Sequence, residues 1–287
     1  MRFNILVLAT LLMVLTSNTY LYAAHLNVGY GNSALTQYSK KDTMISMNLW
    51  VSEIIKNGNH TSSFKFYDDI EKMADDFHSN KLDFVVSYGL DFVKYFDKSY
   101  LTTGVSGGSI DREIENLVLV TQKDTNLSKL KSLKNPIIAL KKGEELAMVY
   151  AKYLSLKGNY RNKISFLETT KRSSTLLKVF FNKADLAITT QKAFDFAKEL
   201  NPQIGKKLKV LRKTDLSASS FGFFHKKLTP EMKEFAFNTS LNLNKYERGK
   251  QILTLFKAET VNKIEVDDLL PIEKFYKEYL NLKKKKK

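Results

Sequence analysis

The chain has 287 residues, 43% of them apolar and 12% aromatic, enough to bury a sizeable core and too apolar for a disordered segment. It contains no cysteine, which excludes disulfides, thiol catalysis, cysteine-ligated metals and a lipid-anchoring cysteine. A net charge of +16 suits anionic small molecules or an anionic membrane surface better than nucleic acid, because the lysines are spread along the whole chain and no nucleic-acid motif accompanies them.

Met1-Arg2 and the apolar run Ile5–Leu15 have the form of a secretory signal, with small residues at Ala23-Ala24 for cleavage. The run is short for a membrane span, which needs about 20 residues. The expectation is a signal peptide over residues 1–24 and a mature protein exported to the periplasm. The mature chain opens with a strand, Leu26–Tyr30, followed by Gly31-Asn32-Ser33. Met44, Met47, Trp50, Val51 and Ile54 recur at helical spacing, so Asp42–Ile55 reads as an amphipathic helix closed by Asn57-Gly58-Asn59. A strand at Phe64–Phe66, a helix at Asp69–Phe77 and a strand at Phe84–Val86 complete a β-α-β-α-β order. That order implies parallel strands covered by helices.

Ser106-Gly107-Gly108-Ser109 reads as a flexible passage, and Leu117–Thr121 after it as a strand. The same logic then repeats: strand Ile137–Leu140, helix Gly143–Leu156, strand Ile164–Leu167, helix Ser173–Phe181 and strand Leu186–Ile188. Helix Ala193–Leu200 is stopped by Asn201-Pro202. Strands Leu208–Leu211 and Ser220–Phe224 lead the chain back, and the remainder reads as helical (Met232–Leu243, Tyr246–Phe256, Ile272–Leu282). The predicted domains are a discontinuous first lobe, 25–121 and 221–287, and a second lobe, 122–220. Two connections between the lobes permit hinge closure around a ligand.

One stretch occurs twice, 102 residues apart: Asn80-Lys81-Leu82-Asp83-Phe84-Val85-Val86-Ser87-Tyr88 and Asn182-Lys183-Ala184-Asp185-Leu186-Ala187-Ile188-Thr189-Thr190. Each reads as a polar turn, an aspartate, a buried strand, and hydroxyl residues just before a helix N-terminus. Ligands of open α/β sheets bind outside the carboxyl ends of the strands, where helix N-terminal amides are free donors. Ser87, Tyr88, Thr189 and Thr190 are therefore candidate ligand contacts, as are Thr169 and Thr170 at the end of the preceding strand.

The run Leu177–Leu211 carries Phe181-Asn182-Lys183-Ala184-Asp185, Phe194, Glu199-Leu200-Asn201-Pro202-Gln203-Ile204 and Leu208-Lys209-Val210-Leu211. Together with Gly249-Lys250-Gln251-Ile252-Leu253 and Phe256-Lys257 it resembles the phosphate/phosphite/phosphonate-type periplasmic solute-binding proteins of ABC transporters. The resemblance covers most of residues 26–280. It implies an α/β, two-lobed type II periplasmic-binding-protein fold, each lobe a mostly parallel sheet flanked by helices, with the ligand in the cleft between them. It also implies ligand contacts from Tyr30 and Ser33 after the first strand, and from Asp185, which matches an aspartate able to face the amino group of an aminophosphonate. Phosphonate binders usually carry a Ser/Thr-rich loop where this chain has Lys141-Lys142-Gly143-Glu144-Glu145, and a histidine where it has Glu168-Thr169-Thr170. Glu144 and Glu145 at a helix start would satisfy its dipole and repel a dianion. Lys141 and Lys142 are candidate cationic donors.

The function expected is capture of a small, anionic, phosphate/phosphonate-like solute by a monomer without cofactor, for an inner-membrane ABC permease. The alternative is a ligand-sensing protein that docks onto a membrane histidine kinase or diguanylate cyclase. A surface role for the basic tail Lys283–Lys287 is a further rival. No enzyme and no metal site are expected. His25, His60, His78 and His225 are never at ligand spacing, and Asp68-Asp69 and Asp75-Asp76 lack a partner histidine. The chain also has no nucleophile–base arrangement and no phosphate-cradling glycine loop.

Overall fold

Uninterrupted apolar runs become strands covered on both faces, and apolar residues at helical spacing become the helices that cover them. The computed structural model describes residues 24–35, 40–56, 60–108, 115–126, 133, 135–158, 164–256 and 258–285. Most of the expected signal segment, residues 1–23, lies outside the described residues, as do Asn57-Gly58-Asn59.

In chain order come β1 (His25–Gly31), a 3-10 turn (Asn32–Leu35), α1 (Lys40–Ile55), β2 (Thr61–Tyr67), α2 (Ile70–His78), β3 (Phe84–Tyr88), α3 (Gly89–Tyr95) and β4 (Leu101–Gly108). The second unit holds β5 (Asn116–Gln122), β6 (Ile137–Lys141), α4 (Glu145–Lys157), β7 (Ser165–Thr169), α5 (Arg172–Phe180), β8 (Leu186–Thr190), α6 (Gln191–Leu200), α7 (Pro202–Lys207) and β9 (Leu208–Ser217). The chain returns through β10 (Ser220–His225), α8 (Pro230–Leu241), α9 (Glu247–Leu255), β11 (Thr260–Ile264) and α10 (Leu270–Lys285).

The strands form two sheets, ordered β11-β4-β10-β3-β1-β2 and β7-β6-β8-β5-β9. β1 pairs in parallel with β2 and β3, and β6 with β7 and β8, as the β-α-β order implies. The remaining pairings are antiparallel, so both sheets are mixed, which refines the mostly parallel expectation. The crossings explain this. A strand that enters a sheet from the cleft side must run against the strands that end there, as β5 does against β8 and β10 against β3.

β5 pairs with β8 and β9, so Asn116–Gln122 sits in the second sheet rather than in the first lobe as the sequence suggests. Ser106-Gly107-Gly108 is not a loose passage but the end of β4, where Gly107 and Gly108 pair with Val261 and Thr260. Neither β4 nor β11 is legible in the sequence, because glycines interrupt the apolar pattern of β4. Gly104 is demanded by close approach: a Cβ there would lie 2.1 Å from the Gly222 carbonyl oxygen of β10.

The duplicated stretch folds the same way twice. Asn80 and Asn182 both take the left-handed conformation (φ 62° and 56°) that ends the preceding helix. Asp83 then donates its N–H to the Asn27 carbonyl (2.8 Å) and accepts the Asn27 N–H on Oδ2 (2.8 Å). Asp185 donates to the Ile137 carbonyl (2.9 Å) and accepts the Ile137 N–H on Oδ2 (2.8 Å). Each aspartate clamps the start of its strand to the neighbouring strand.

One apolar cluster lies between the first sheet and α1, α8 and α9, and includes Val28, Val51, Phe84 and Leu253. A larger one covers the opposite face and continues into the second lobe, joining Phe92 and Phe223 to Leu119 and Tyr150. α10 packs on α3, α4 and β9, with the Phe275 ring 5.9 Å from Tyr150 and 5.2 Å from Tyr153. The C-terminal helix therefore straps both lobes together instead of belonging to the first alone. No described helix is long and apolar enough to cross a membrane.

Candidate ligand-binding cleft

The carboxyl ends of β3 and β8 meet at a cavity of about 610 Å³ between the two sheets. Its second-lobe wall consists of Glu115, Arg172, and Lys192, Ala193 and Phe196 of α6. Ala218, Ser219 and Ser220, on the returning passage, form one edge, with Ser106 beside them. Tyr30, Trp50, Phe84, Val86 and Tyr88 belong to the first-lobe wall.

Arg172 is the best-held charge. Its Nη1 donates to Glu115 Oε1 (2.5 Å) and its Nε to Glu144 Oε1 (2.7 Å), while the Thr190 hydroxyl donates to the same Glu115 oxygen (2.8 Å). Burial alone would lower the guanidinium pKa, but Glu115 and Glu144 outweigh it and hold it above its ordinary value. Lys141 behaves oppositely. Burial pulls its ammonium below the usual range, and Glu144, 3.4 Å away, offsets that only in part.

The carboxylates expected to repel a dianion are already engaged. Glu144 is buried against Arg172 and Lys141, and Glu145 accepts from Lys94 Nζ of the first lobe (2.7 Å). Between Tyr88–Asp91 and Gly143–Ala147 only about 30 Å³ remains, which is a single water volume.

Of the residues singled out from the sequence, Tyr30 and Tyr88 reach the cavity wall. Ser33 falls in the 3-10 turn, and its side chain lies outside those described. Ser87 is fully buried and donates to Asp91 Oδ2 (2.5 Å), below the wall rather than in it. Thr169 is buried, 2.7 Å from the Thr175 hydroxyl and donating to the Lys171 carbonyl (3.0 Å), so it fastens the turn into α5. Thr170 and Lys142 are exposed, and neither lines the cavity. Thr189 is fully buried within the sheet, its hydroxyl without a partner among the described residues. Thr190 caps α6 by accepting the Ala193 N–H (3.3 Å) and acts on the cleft only through Glu115. Asp185 is placed at the opposite end of β8 from the cleft. Its carboxylate is taken by the Ile137 amide, which corrects the expectation of a ligand contact.

Arg172 and Lys192 are not apparent from motif reading. A signal was nonetheless present, since both are cations in the first turn of a helix, where the dipole disfavours positive charge. Glu115, Ser219 and Ser220 offer no such signal. Among the described residues no group of three or more histidines or acids is arranged to hold a metal ion.

Residues 33–269 match the family of periplasmic substrate-binding proteins of phosphonate ABC transporters. No curated protein sequence matches the chain. Among solved structures, the binding component of an ABC phosphonate transporter from Pseudomonas aeruginosa aligns with TM-score 0.59 and 15% identity over 91% of this chain and 88% of that one. PhnD1 of Prochlorococcus marinus, in complex with methylphosphonate, aligns with TM-score 0.59 and 19% identity over 90% and 98%. A Xanthomonas citri protein bound to ATP aligns with TM-score 0.61 and 10% identity over 91% and 98%. At these identities the likenesses establish the two-lobed α/β fold.

Proposed function

This chain belongs to the family of periplasmic substrate-binding proteins of phosphonate ABC transporters, and from that premise we propose that it captures a small anion of the phosphonate class in the cleft between its sheets. It then presents the anion to an inner-membrane permease, after export under a signal peptide over residues 1–24, and works as a monomer without catalysis.

The observation that carries this reading is the pair of cations at helix starts. Arg172 opens α5, Lys192 lies in the first turn of α6, and both line one cavity. An anion seated there accepts from both side chains and from the helix N-terminal amides, and so offsets the dipole that the cations alone oppose. Arg172 has five N–H donors, and the carboxylates take one from Nε and one from Nη1, which leaves donors for a ligand. Retention is a matter of tighter binding to the closed arrangement of the lobes.

Calorimetric titration and thermal denaturation with methylphosphonate, phosphite and phosphate test the proposal. The expected result is saturable binding, with about 2.7 kcal/mol of added stability at a hundredfold excess over Kd. Lys192→Ala, at an exposed side chain, should weaken affinity roughly tenfold, the worth of one charge-assisted hydrogen bond. Absence of binding to all three anions refutes the reading.

A further inference from the structure

The charged groups that line the cavity, Arg172, Lys192 and Glu115, belong to its second-lobe wall, whereas the first-lobe side includes Met47, Trp50, Phe84, Val86, Phe256 and Val261. These side chains belong to, or pack on, the apolar cluster beneath α1 and α9. Trp50 and Phe256 remain half-buried, so large apolar surface borders open space inside the lobe. Trp50 stands between Phe84 and Phe256, with ring centroids 5.9 Å and 6.4 Å away, which makes an aromatic wall.

Size points the same way. The cavity of about 610 Å³ falls within the roughly 300–1,000 Å³ that houses drug-sized ligands. Methylphosphonate would displace only roughly 100 Å³, or three to four water volumes. The narrower space between Tyr88 and Glu144, about 30 Å³, is too small even for that.

We propose that the ligand is an amphiphilic organic anion, with an oxyanion head at Arg172 and Lys192 and an alkyl or aryl substituent in the chamber against Trp50. This inference rests on the cleft reading above and narrows its ligand class. The apolar part supplies affinity through burial, and the head supplies orientation.

Titration with methyl-, propyl-, butyl- and phenylphosphonate tests it, read by calorimetry and by the fluorescence of Trp50, the chain's single tryptophan. Each buried methylene should tighten binding about fourfold, so butylphosphonate, with three more methylenes, should bind roughly 60-fold more tightly than methylphosphonate. Butyl- and phenylphosphonate should also shift the Trp50 emission. If methylphosphonate binds but longer members bind no more tightly, or Trp50 stays silent, the chamber proposal is overturned while capture of phosphonates stands. If no member binds, both readings fall.

Discussion

Replacing Asp185 with Ala separates a strand clamp from a ligand contact. The Asp185 carboxylate accepts the Ile137 N–H at 2.8 Å, at the start of β8 and β6. The five residues of β8 then run about 16 Å, at roughly 3.3 Å each, before reaching the cleft end at Thr190. Truncation leaves the Ile137 amide without its acceptor at a half-buried position. Loss of a hydrogen bond to a charged group, with a donor left unpaired, costs about 2 kcal/mol, or roughly 4–8 °C in Tm for a chain of this size. Asp185→Asn keeps an acceptor oxygen, so it should cost about 1 kcal/mol or less. Ligand affinity should stay within twofold in both variants. Thermal denaturation with parallel calorimetry decides the matter. A Tm unchanged in Asp185→Ala together with a tenfold loss of affinity would refute the clamp and restore Asp185 to the binding site. Equal costs for Ala and Asn would refute the hydrogen-bond argument.

Gly249→Ala should destabilise by about 3 kcal/mol, because a Cβ there falls 1.9 Å from the Leu243 carbonyl oxygen and no side-chain rotation relieves a clash with backbone. Urea denaturation measures it, and a neutral result would mean that α9 shifts freely. Lys94 and Glu145 pair across the lobes at 2.7 Å with Glu145 half exposed, so a double-mutant cycle of Lys94→Met and Glu145→Gln should give a coupling of about 0.5–1 kcal/mol that fades with salt. Glu273, on the C-terminal strap, is held down to about 2 by hydrogen bonds from Lys277 of the same helix and from Lys98 of the first lobe. Its folded pKa lies below the unfolded one, so its contribution is present above about pH 4.5 and is lost as pH falls towards 2. Glu273→Gln should flatten the Tm-versus-pH curve in that window, and an unchanged curve would remove the strap pair from the acid response.

Much of the fold was legible because it rests on local pattern. The apolar runs Leu117–Val120 and Leu186–Ile188 are fully covered strands, and Trp50 and Val51 lie on the inner side of α1 as their spacing requires. The repeat around Asp83 and Asp185 was legible as a repeat, and of its two aspartates only Asp185 was expected to touch a ligand, whereas its carboxylate meets the Ile137 amide just as that of Asp83 meets the Asn27 amide. Its aspartates sit at the amino ends of their strands, and only the hydroxyl residues that follow approach the cleft. Of those, Tyr88 alone of the pairs Ser87-Tyr88 and Thr189-Thr190 reaches the wall, because alternate strand residues point to opposite faces and Thr190 is turned to Glu115.

By itself the sequence determined the α/β order, the duplicated unit and the family, all of which depend on neighbours a few residues apart. The tertiary structure alone decided that Arg172 and Lys192 line one cavity, that β5 joins the second sheet, and that apolar side chains border that cavity beside Trp50. Arg172 finds Glu115 at 57 residues' separation, and Thr190 finds the same carboxylate at 75. Such contacts exist only once β5 has paired with β8 inside the second sheet, and no periodicity in the chain encodes which distant strands become neighbours.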